Sequence, residues 1–277
     1  MRFTKVEGCG NHFILFDLRR APLSVKSLNT KKIIELCDPN FGVGADGILL
    51  IKTLDLTTTG TLSSDAQYEM IIYNADGSLA KMCGNGLRCA ASYLFKAQDH
   101  VNTSVQQLSI LTGGGVFRVT RSTQRGPEYI GVQMGWPNTV NEVYFNSTKM
   151  DVHSFGNPHI VTFDPSLFEQ RRDVAPAMGA LLTDGVNVSF ASHREGTRLT
   201  LHVYERGCGW TLACGTGACA TVYQGICEGR FKEGDSVRVS LPGGELTIDI
   251  KKAGLTMWGP AKDVFTGELS ERLSSGL

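Results

Sequence analysis

The sequence predicts an α+β fold made of two similar domains, and three observations carry that reading. Short runs rich in β-branched and aromatic residues outnumber the helical candidates, and Gly, Pro, Asn and Asp separate them. Strand and helix candidates come in mixed order rather than in steady β-α-β alternation, which argues against a doubly wound parallel sheet. One short phrase occurs twice, as Cys83-Gly84-Asn85-Gly86 and Cys214-Gly215-Thr216-Gly217, each time followed by a run of small residues and later by a glycine-rich hairpin.

Taken in order, strands are expected at 11–17, 47–52, 69–73, 107–111, 116–120, 129–134, 198–204, 236–241 and 245–250. Helices are expected at 29–37, from just after Gly86 to about 98, at 175–182, and from just after Gly217 to about 229. The hairpin turns are Thr112-Gly113-Gly114-Gly115 and Pro242-Gly243-Gly244. Residues 128–137 read as the start of the second unit, so the expected domains are 1–127 and 128–262, with a tail from about 263 to 277 returning to the first. A duplicated domain would face its two helix starts at each other across a cleft, where ligands commonly bind.

Composition sets ordinary bounds. Lys+Arg and Asp+Glu balance at 27 each over 277 residues, so no global field favours nucleic acid or an anionic membrane. No run approaches the ~18 apolar residues of a membrane span. The opening Met1-Arg2-Phe3-Thr4-Lys5-Val6-Glu7 has no apolar core, so a secretory signal is not expected. The 8 cysteines then read as thiols in a reducing compartment rather than as a disulfide framework. A soluble cytoplasmic protein is the expectation.

A cysteine followed by Gly-x-Gly and an apolar run is a thiol on the first turn of a helix. Backbone N–H groups there lack partners and the helix dipole is positive, a setting that lowers a thiol pKa and attracts an anion. Two such places suggest two reactive thiols around one anionic substrate. The bland alternative is a pair of inert core cysteines. The flanking glycines speak against it, because Gly costs helix stability and close approach to a ligand is the usual compensation.

A zinc site fits poorly, since the spacings Cys83-x5-Cys89, Cys208-x5-Cys214 and Cys214-x4-Cys219 are not those of structural zinc pairs. Gly215-Thr216-Gly217-Ala218-Cys219-Ala220 formally matches a dinucleotide loop. The acidic residue that should end the next strand is absent, however: Glu233 and Asp235 precede the strand at 236–241. Asn11, Asn74, Asn157 and Asn187 lie in turn-like contexts and would each pass for local caps. His159 and the pair Glu205-Arg206 would pass for structural groups. Together, amides, an arginine and two helix starts suit a small, polar, doubly charged substrate.

The segments Gly8-Cys9-Gly10-Asn11, Asn74-Ala75-Asp76-Gly77-Ser78, Cys83 through Cys89, Gly156-Asn157-Pro158-His159, Val186-Asn187-Val188, Tyr204-Glu205-Arg206-Gly207, Ala213 through Cys219 and Leu241-Pro242-Gly243-Gly244 resemble the diaminopimelate epimerase family. The resemblance runs in family order from Gly8 to about Gly259. It implies two similar domains, each a mostly antiparallel sheet wrapped around a central helix, with the active site in the cleft. It implies interconversion of LL- and meso-diaminopimelate without pyridoxal phosphate or metal, supplying lysine and cell-wall synthesis, by a homodimer. Cys83 and Cys214 would be the two acid–base thiols. Asn11, Asn74, Asn157, Asn187, Glu205 and Arg206 would contact substrate, and the backbone of Gly84, Asn85, Gly215 and Thr216 would hold a carboxylate. His159 and Glu205 would sit beside the thiols and polarise the reacting centre.

Two departures stand out. Gly47 occupies a place where the family often has a substrate-binding Gln, which weakens the expected grip on the far end of the substrate. Restoring Gln there is expected to sharpen selectivity. His12 replaces a frequent Asp. Competing functions are a racemase of the same fold acting on another amino acid such as glutamate, and a non-catalytic ligand-binding module. The presence of both cysteines argues against the module.

Overall fold

A tight hairpin opens the fold. Strands β1 (Arg2–Gly8) and β2 (Asn11–Asp17) pair antiparallel around Cys9 and Gly10, whose φ angles of 57° and 80° are the left-handed pair that a two-residue turn requires. The computed structural model describes residues 1–20, 28–54, 66–99, 105–275 and 277. They divide into two compact units, Met1–Val132 with Pro260–Leu277, and Gln133–Gly259.

In the first unit β2 continues through α1 (Thr30–Cys37) into β3 (Gly47–Thr53), and the two strands pair in parallel. A parallel pair needs a crossover, and α1 supplies it. Strand β4 (Tyr68–Asn74) pairs antiparallel with β3, and the short β5 (Leu79–Ala80) folds back on β4. Helix α2 (Gly84–Asp99) then leads to β6 (Gln107–Thr112), parallel to β4, followed by the antiparallel β7 (Gly115–Arg121) and β8 (Tyr129–Gly135).

The second unit repeats this order. Strands β9 (Asn138–Phe145), β10 (Thr148–Ser154) and β11 (Pro158–Thr162) run antiparallel. Helices α3 (Pro165–Glu169) and α4 (Arg171–Gly179) cross over to β12 (Asn187–His193), parallel to β11. Strand β13 (Arg198–Glu205) and the short β14 (Gly209–Thr211) form the hairpin that matches β4 and β5. Helix α5 (Gly215–Cys227) leads to β15 (Ser236–Leu241), parallel to β13, then β16 (Gly244–Lys251) and β17 (Gly254–Pro260). Strand β18 (Lys262–Glu268) lies on β1 as β9 lies on β10, and α6 (Glu271–Ser274) closes the chain. The pairing scheme is the same in both units, strand for strand.

Each sheet carries its crossover helices on one face and a central helix on the other. Helix α2 packs on β1, β2, β3, β4, β7 and β18, and α5 on β11, β12 and β16. Both faces of β2 and β3 are therefore covered, which is why Phe13 to Phe16 and Ile48 to Ile51 are buried without a break and read as continuous apolar runs. Ile14, Phe16, Ile48 and Leu50 pack under α1 with Ile33 and Leu36. Val152, Ile160, Val188 and Phe190 do the same under Ala175 and Met178 of α4.

Three expectations need correction. The central helices begin at Gly84 and Gly215 rather than beyond the second glycine. The third helix runs from Arg171 rather than Ala175, with Pro176 inside it; the proline marks a first turn in sequence but here interrupts a helix already under way. Strands β1, β5, β9 to β12, β14, β17 and β18 were not anticipated. Strands β9 and β18 are exposed along most of their length, so neither shows the apolar alternation that signals a strand.

Candidate active site

Both cysteines of the repeated phrase are helix caps, one position earlier than a first-turn residue. Cys214 is the N-cap of α5, its sulfur accepting the Gly217 N–H at 3.4 Å while its carbonyl accepts from Ala218. Cys83 does the same for α2: Gly86 N–H donates to Sγ at 3.4 Å and Leu87 N–H to the carbonyl at 2.8 Å. The thiol thus fills the place that Ser or Asp usually holds. Gly84 and Asn85, like Gly215 and Thr216, occupy the next two positions, where a helix offers its own N–H groups no acceptor.

The second glycine of each phrase has a packing reason. A Cβ on Gly86 would lie 3.1 Å from Leu49 Cδ2, and one on Gly217 would lie 3.1 Å from Val203 Cγ2 and 3.3 Å from the Cys214 sulfur. Glycine here lets the helix start lie against the sheet; these two do not need a ligand to explain them.

In the first unit Cys83, Asn85 and Asn11 come together. The half-buried Cys83 thiol donates to Asn11 Oδ1 at 3.7 Å, and Asn85 Nδ2 donates to the same oxygen at 3.3 Å. Asn11 Nδ2 donates to Asp46 Oδ2 at 2.9 Å. Asn74 does not join this group directly; its amide donates to Ser78 Oγ, and it faces Gly47 across the β3–β4 ladder. At Gly47 a Cβ would stand 2.3 Å from the Tyr73 carbonyl oxygen. Any side chain there, Gln included, would press on that backbone carbonyl, so something must shift to admit it.

The second unit assembles a longer chain of contacts. The Cys214 sulfur lies 3.4 Å from Thr216 Oγ1, and Thr216 Oγ1 lies 2.9 Å from His159 Nε2. His159 Nε2 is also 3.2 Å from Asn157 Oδ1. Complete burial drops the His159 pKa to about 3, so the ring is neutral. Asn157 Oδ1 can only accept, which places the proton on Nε2 and turns the Thr216 hydroxyl hydrogen toward the sulfur. His159 Nδ1 is buried with no partner among the described residues.

Glu205 ends β13 and completes the group. Thr211 Oγ1 donates to Glu205 Oε1 at 2.6 Å, and the Glu205 charge acts on the Cys214 thiol. Burial pushes the Glu205 carboxyl upward, against the pull of the Thr211 hydrogen bond. Burial, together with the neighbouring Glu205 charge, pushes the Cys214 thiol well above its ordinary value; the Thr216 and Gly217 contacts oppose this and lose. The expectation that the helix start lowers this thiol is therefore overturned. Desolvation and a like charge outweigh the dipole.

Asn187 holds its neighbours: its amide donates to the Pro158 carbonyl and accepts the Arg206 N–H, both at 2.9 Å. Arg206 is exposed, with Nη1 donating to the Asp184 carbonyl at 3.2 Å.

The registers show that the two units use matching positions. Phe13 pairs with Gly47 as His159 pairs with Asn187, so Asn11 corresponds to Asn157 and Gly47 to Asn187. The last residues of the matching strands β4 and β13, Asn74 and Glu205, also correspond. Sequence reasoning missed Asp46 and Thr211 as members. Asp46 directly precedes Gly47, whose position the sequence analysis marks, but nothing at Thr211 distinguishes it from any strand threonine. Among the described residues, no cluster of three His, Cys, Asp or Glu is placed to hold a metal, and no helix is long and apolar enough to cross a membrane.

Comparison with known proteins places this arrangement. Residues 3–140 and 152–264 match the diaminopimelate epimerase family. The diaminopimelate epimerase of Leptospira biflexa is 35% identical over 293 residues, covering 97% of this chain and 99% of the relative. That of Alkalilimnicola ehrlichii is 36% identical over 290 residues, covering 97% and 98%. Among solved structures, a hydroxyproline epimerase from Agrobacterium vitis superposes with a TM-score of 0.71 at 14% identity, covering 96% of this chain and 91% of its own. A PhzF-family phenazine biosynthesis protein from Bacillus anthracis gives 0.68 at 14% identity, covering 98% and 99%. Those two share the two-domain α+β fold. The near full-length match at a third identity goes further: the chain belongs to the diaminopimelate epimerase family.

Proposed function

We propose that this isomerase interconverts LL- and meso-2,6-diaminopimelate by a two-base mechanism, with Cys83 and Cys214 as the acid–base pair. The observation that carries the reading is the duplicated thiol cap, one at the start of each central helix in matching positions of the two units. Inverting an α-carbon requires a proton to leave one face and another to arrive at the opposite face. One thiol acts as thiolate base and the other as acid, and they exchange roles in the reverse direction. The pair titrates as a unit rather than as independent groups.

Charge that develops on the carbon spreads into its carboxylate. The amides of Gly84, Asn85, Gly215 and Thr216, at helix starts, would hold that carboxylate, so the chemistry asks for neither pyridoxal phosphate nor a metal. Asn11, Asn74, Asn157, Asn187, Glu205 and Arg206 would bind the rest of the substrate. His159 acts through Thr216, and Glu205 directly, to set the proton on Cys214. In the cell the reaction would serve lysine and peptidoglycan precursor synthesis, in a cytoplasmic homodimer.

The test is epimerisation of LL-diaminopimelate in D₂O, followed by chiral separation. Meso product carrying deuterium at the inverted carbon is expected. Cys83→Ala and Cys214→Ala should each lose at least about 10²–10⁴-fold in rate; near wild-type turnover in either would remove the two-base assignment. A racemase acting on a shorter dicarboxylic amino acid is the second reading, favoured by the closed, side-chain-free position at Gly47. Equal kcat/KM for L-glutamate and LL-diaminopimelate would favour it.

A further inference from the structure

Four side chains in the first unit form one directional hydrogen-bonded chain. Arg88 Nη2 donates to Asn85 Oδ1 at 3.0 Å, Asn85 Nδ2 donates to Asn11 Oδ1 at 3.3 Å, and Asn11 Nδ2 donates to Asp46 Oδ2 at 2.9 Å. Its direction is fixed chemically at both ends. A guanidinium has no lone pair to offer and a carboxylate has no proton, so neither amide can turn over without setting donor against donor or acceptor against acceptor. Arg88 is fully buried, and a Cβ on Gly8 would lie only 3.3 Å from its Nη2, which confines that end. Asp46 is anchored independently, since the His12 N–H donates to the same Oδ2 at 2.9 Å.

The consequence falls on Cys83, whose thiol donates to Asn11 Oδ1. We propose that Asp46 and Arg88 are positioning residues which lock the Asn11 amide with its carbonyl toward Cys83, and so hold the proton on that sulfur until substrate displaces the contact. A thiolate would face the negative end of the amide dipole. It could recruit the Asn11 amide as a donor only if the chain reversed. The inference rests on reading Cys83 as an acid–base group, and it adds two residues that act on the sulfur through Asn11.

Other charged and titratable groups face this region. Cys89 and Arg88 belong to the same helix, Glu7 and Cys9 come from β1 and its turn, and His12 lies beside Asp46. Lys5 also feels the Asp46 charge. A test must therefore separate loss of charge from loss of the acceptor.

Two substitutions at Asp46 do this. Asp46→Asn removes the charge but keeps an oxygen, which the His12 N–H holds in place for Asn11. Asp46→Ala removes both. The readout is the rate of iodoacetamide alkylation of the Cys83 peptide by mass spectrometry, as a function of pH and without substrate. A donor gained by the thiolate is worth about one pKa unit, so Asp46→Ala should be alkylated roughly three- to tenfold faster than Asp46→Asn near neutral pH. Equal rates in the two variants overturn the proposal. Arg88→Met should also quicken alkylation, although loss of a cation through space would slow it; slower alkylation removes Arg88 from the device. Epimerisation assays stand apart from this measurement, so the two readings fail separately.

Discussion

Cys214 shows how a single residue can be pulled in opposite directions. Its helix start and the Thr216 hydroxyl favour thiolate, while burial and Glu205 favour thiol, and the second pair prevails. Glu205→Gln removes the like charge while leaving a neutral amide in its place, so the Cys214 thiol should titrate lower. Its alkylation at neutral pH should then rise, by roughly tenfold per unit of pKa. An unchanged or slower rate would show that Glu205 does not govern this thiol. Gly47 carries the second residue-level prediction. With the Tyr73 carbonyl oxygen 2.3 Å from any Cβ, Gly47→Ala should destabilise by ~1–3 kcal/mol, visible as a lower urea midpoint. Gly47→Gln should then lower stability, rather than cleanly sharpening selectivity as sequence comparison alone suggested.

At the scale of the element, the start of each central helix couples stability to chemistry. The sulfur caps the helix, so a substitution can be chosen to remove one role and keep the other. Cys214→Ser should retain the cap while losing turnover, because a serine hydroxyl is a far weaker acid than a thiol. Cys214→Ala should lose turnover together with ~0.5–2 kcal/mol of stability. Thermal melts of the two variants check this; equal melting temperatures would mean that the cap contributes nothing. Gly217→Ala belongs to the same element. Its Cβ would press on Val203, Ser189 Oγ and the Cys214 sulfur itself, so both the fold and the placement of the thiol should suffer.

Across the whole molecule, the same nine-strand pairing scheme with a central helix is built twice, and polar ties between helix and sheet hold each copy. In the first unit Asp17, at the end of β2, accepts from Arg19 Nη2 at 2.7 Å and from Tyr93 of α2 at 3.1 Å. Burial pulls the Asp17 carboxyl upward, but the hydrogen bonds and charge of Arg19, with Tyr93, outweigh it and hold it below the ordinary value. A depressed carboxyl stabilises the fold above its unfolded pKa of about 3.9, and that stability is lost as pH falls through the folded value. Asp17→Asn should therefore cost ~1–3 kcal/mol near neutral pH and leave urea midpoints that change less between about pH 5 and pH 3 than in the wild type. Parallel pH dependence in the two proteins would exclude this tie as a source of acid sensitivity.

Local chemistry made much of the protein legible before any fold was known. The runs around Ile14 and Leu49 gave β2 and β3 because a strand covered on both faces is apolar throughout. The repeated Cys-Gly-x-Gly phrase marked both helix starts, and thereby the duplication, because those glycines and thiols act within one turn of the chain. Strands β9 and β18 were illegible, since exposed edge strands carry no apolar period and owe their pairing to β10 and β1. Asp46 and Thr211 were hidden for a related reason: each matters only through a side chain that lies far from it in sequence or across a hairpin. The titration of Cys214 was decided by tertiary structure as well. A helix start is a local feature visible in sequence, whereas burial and the approach of Glu205 exist only once the sheet has closed around α5, and desolvation with a like charge is the larger effect.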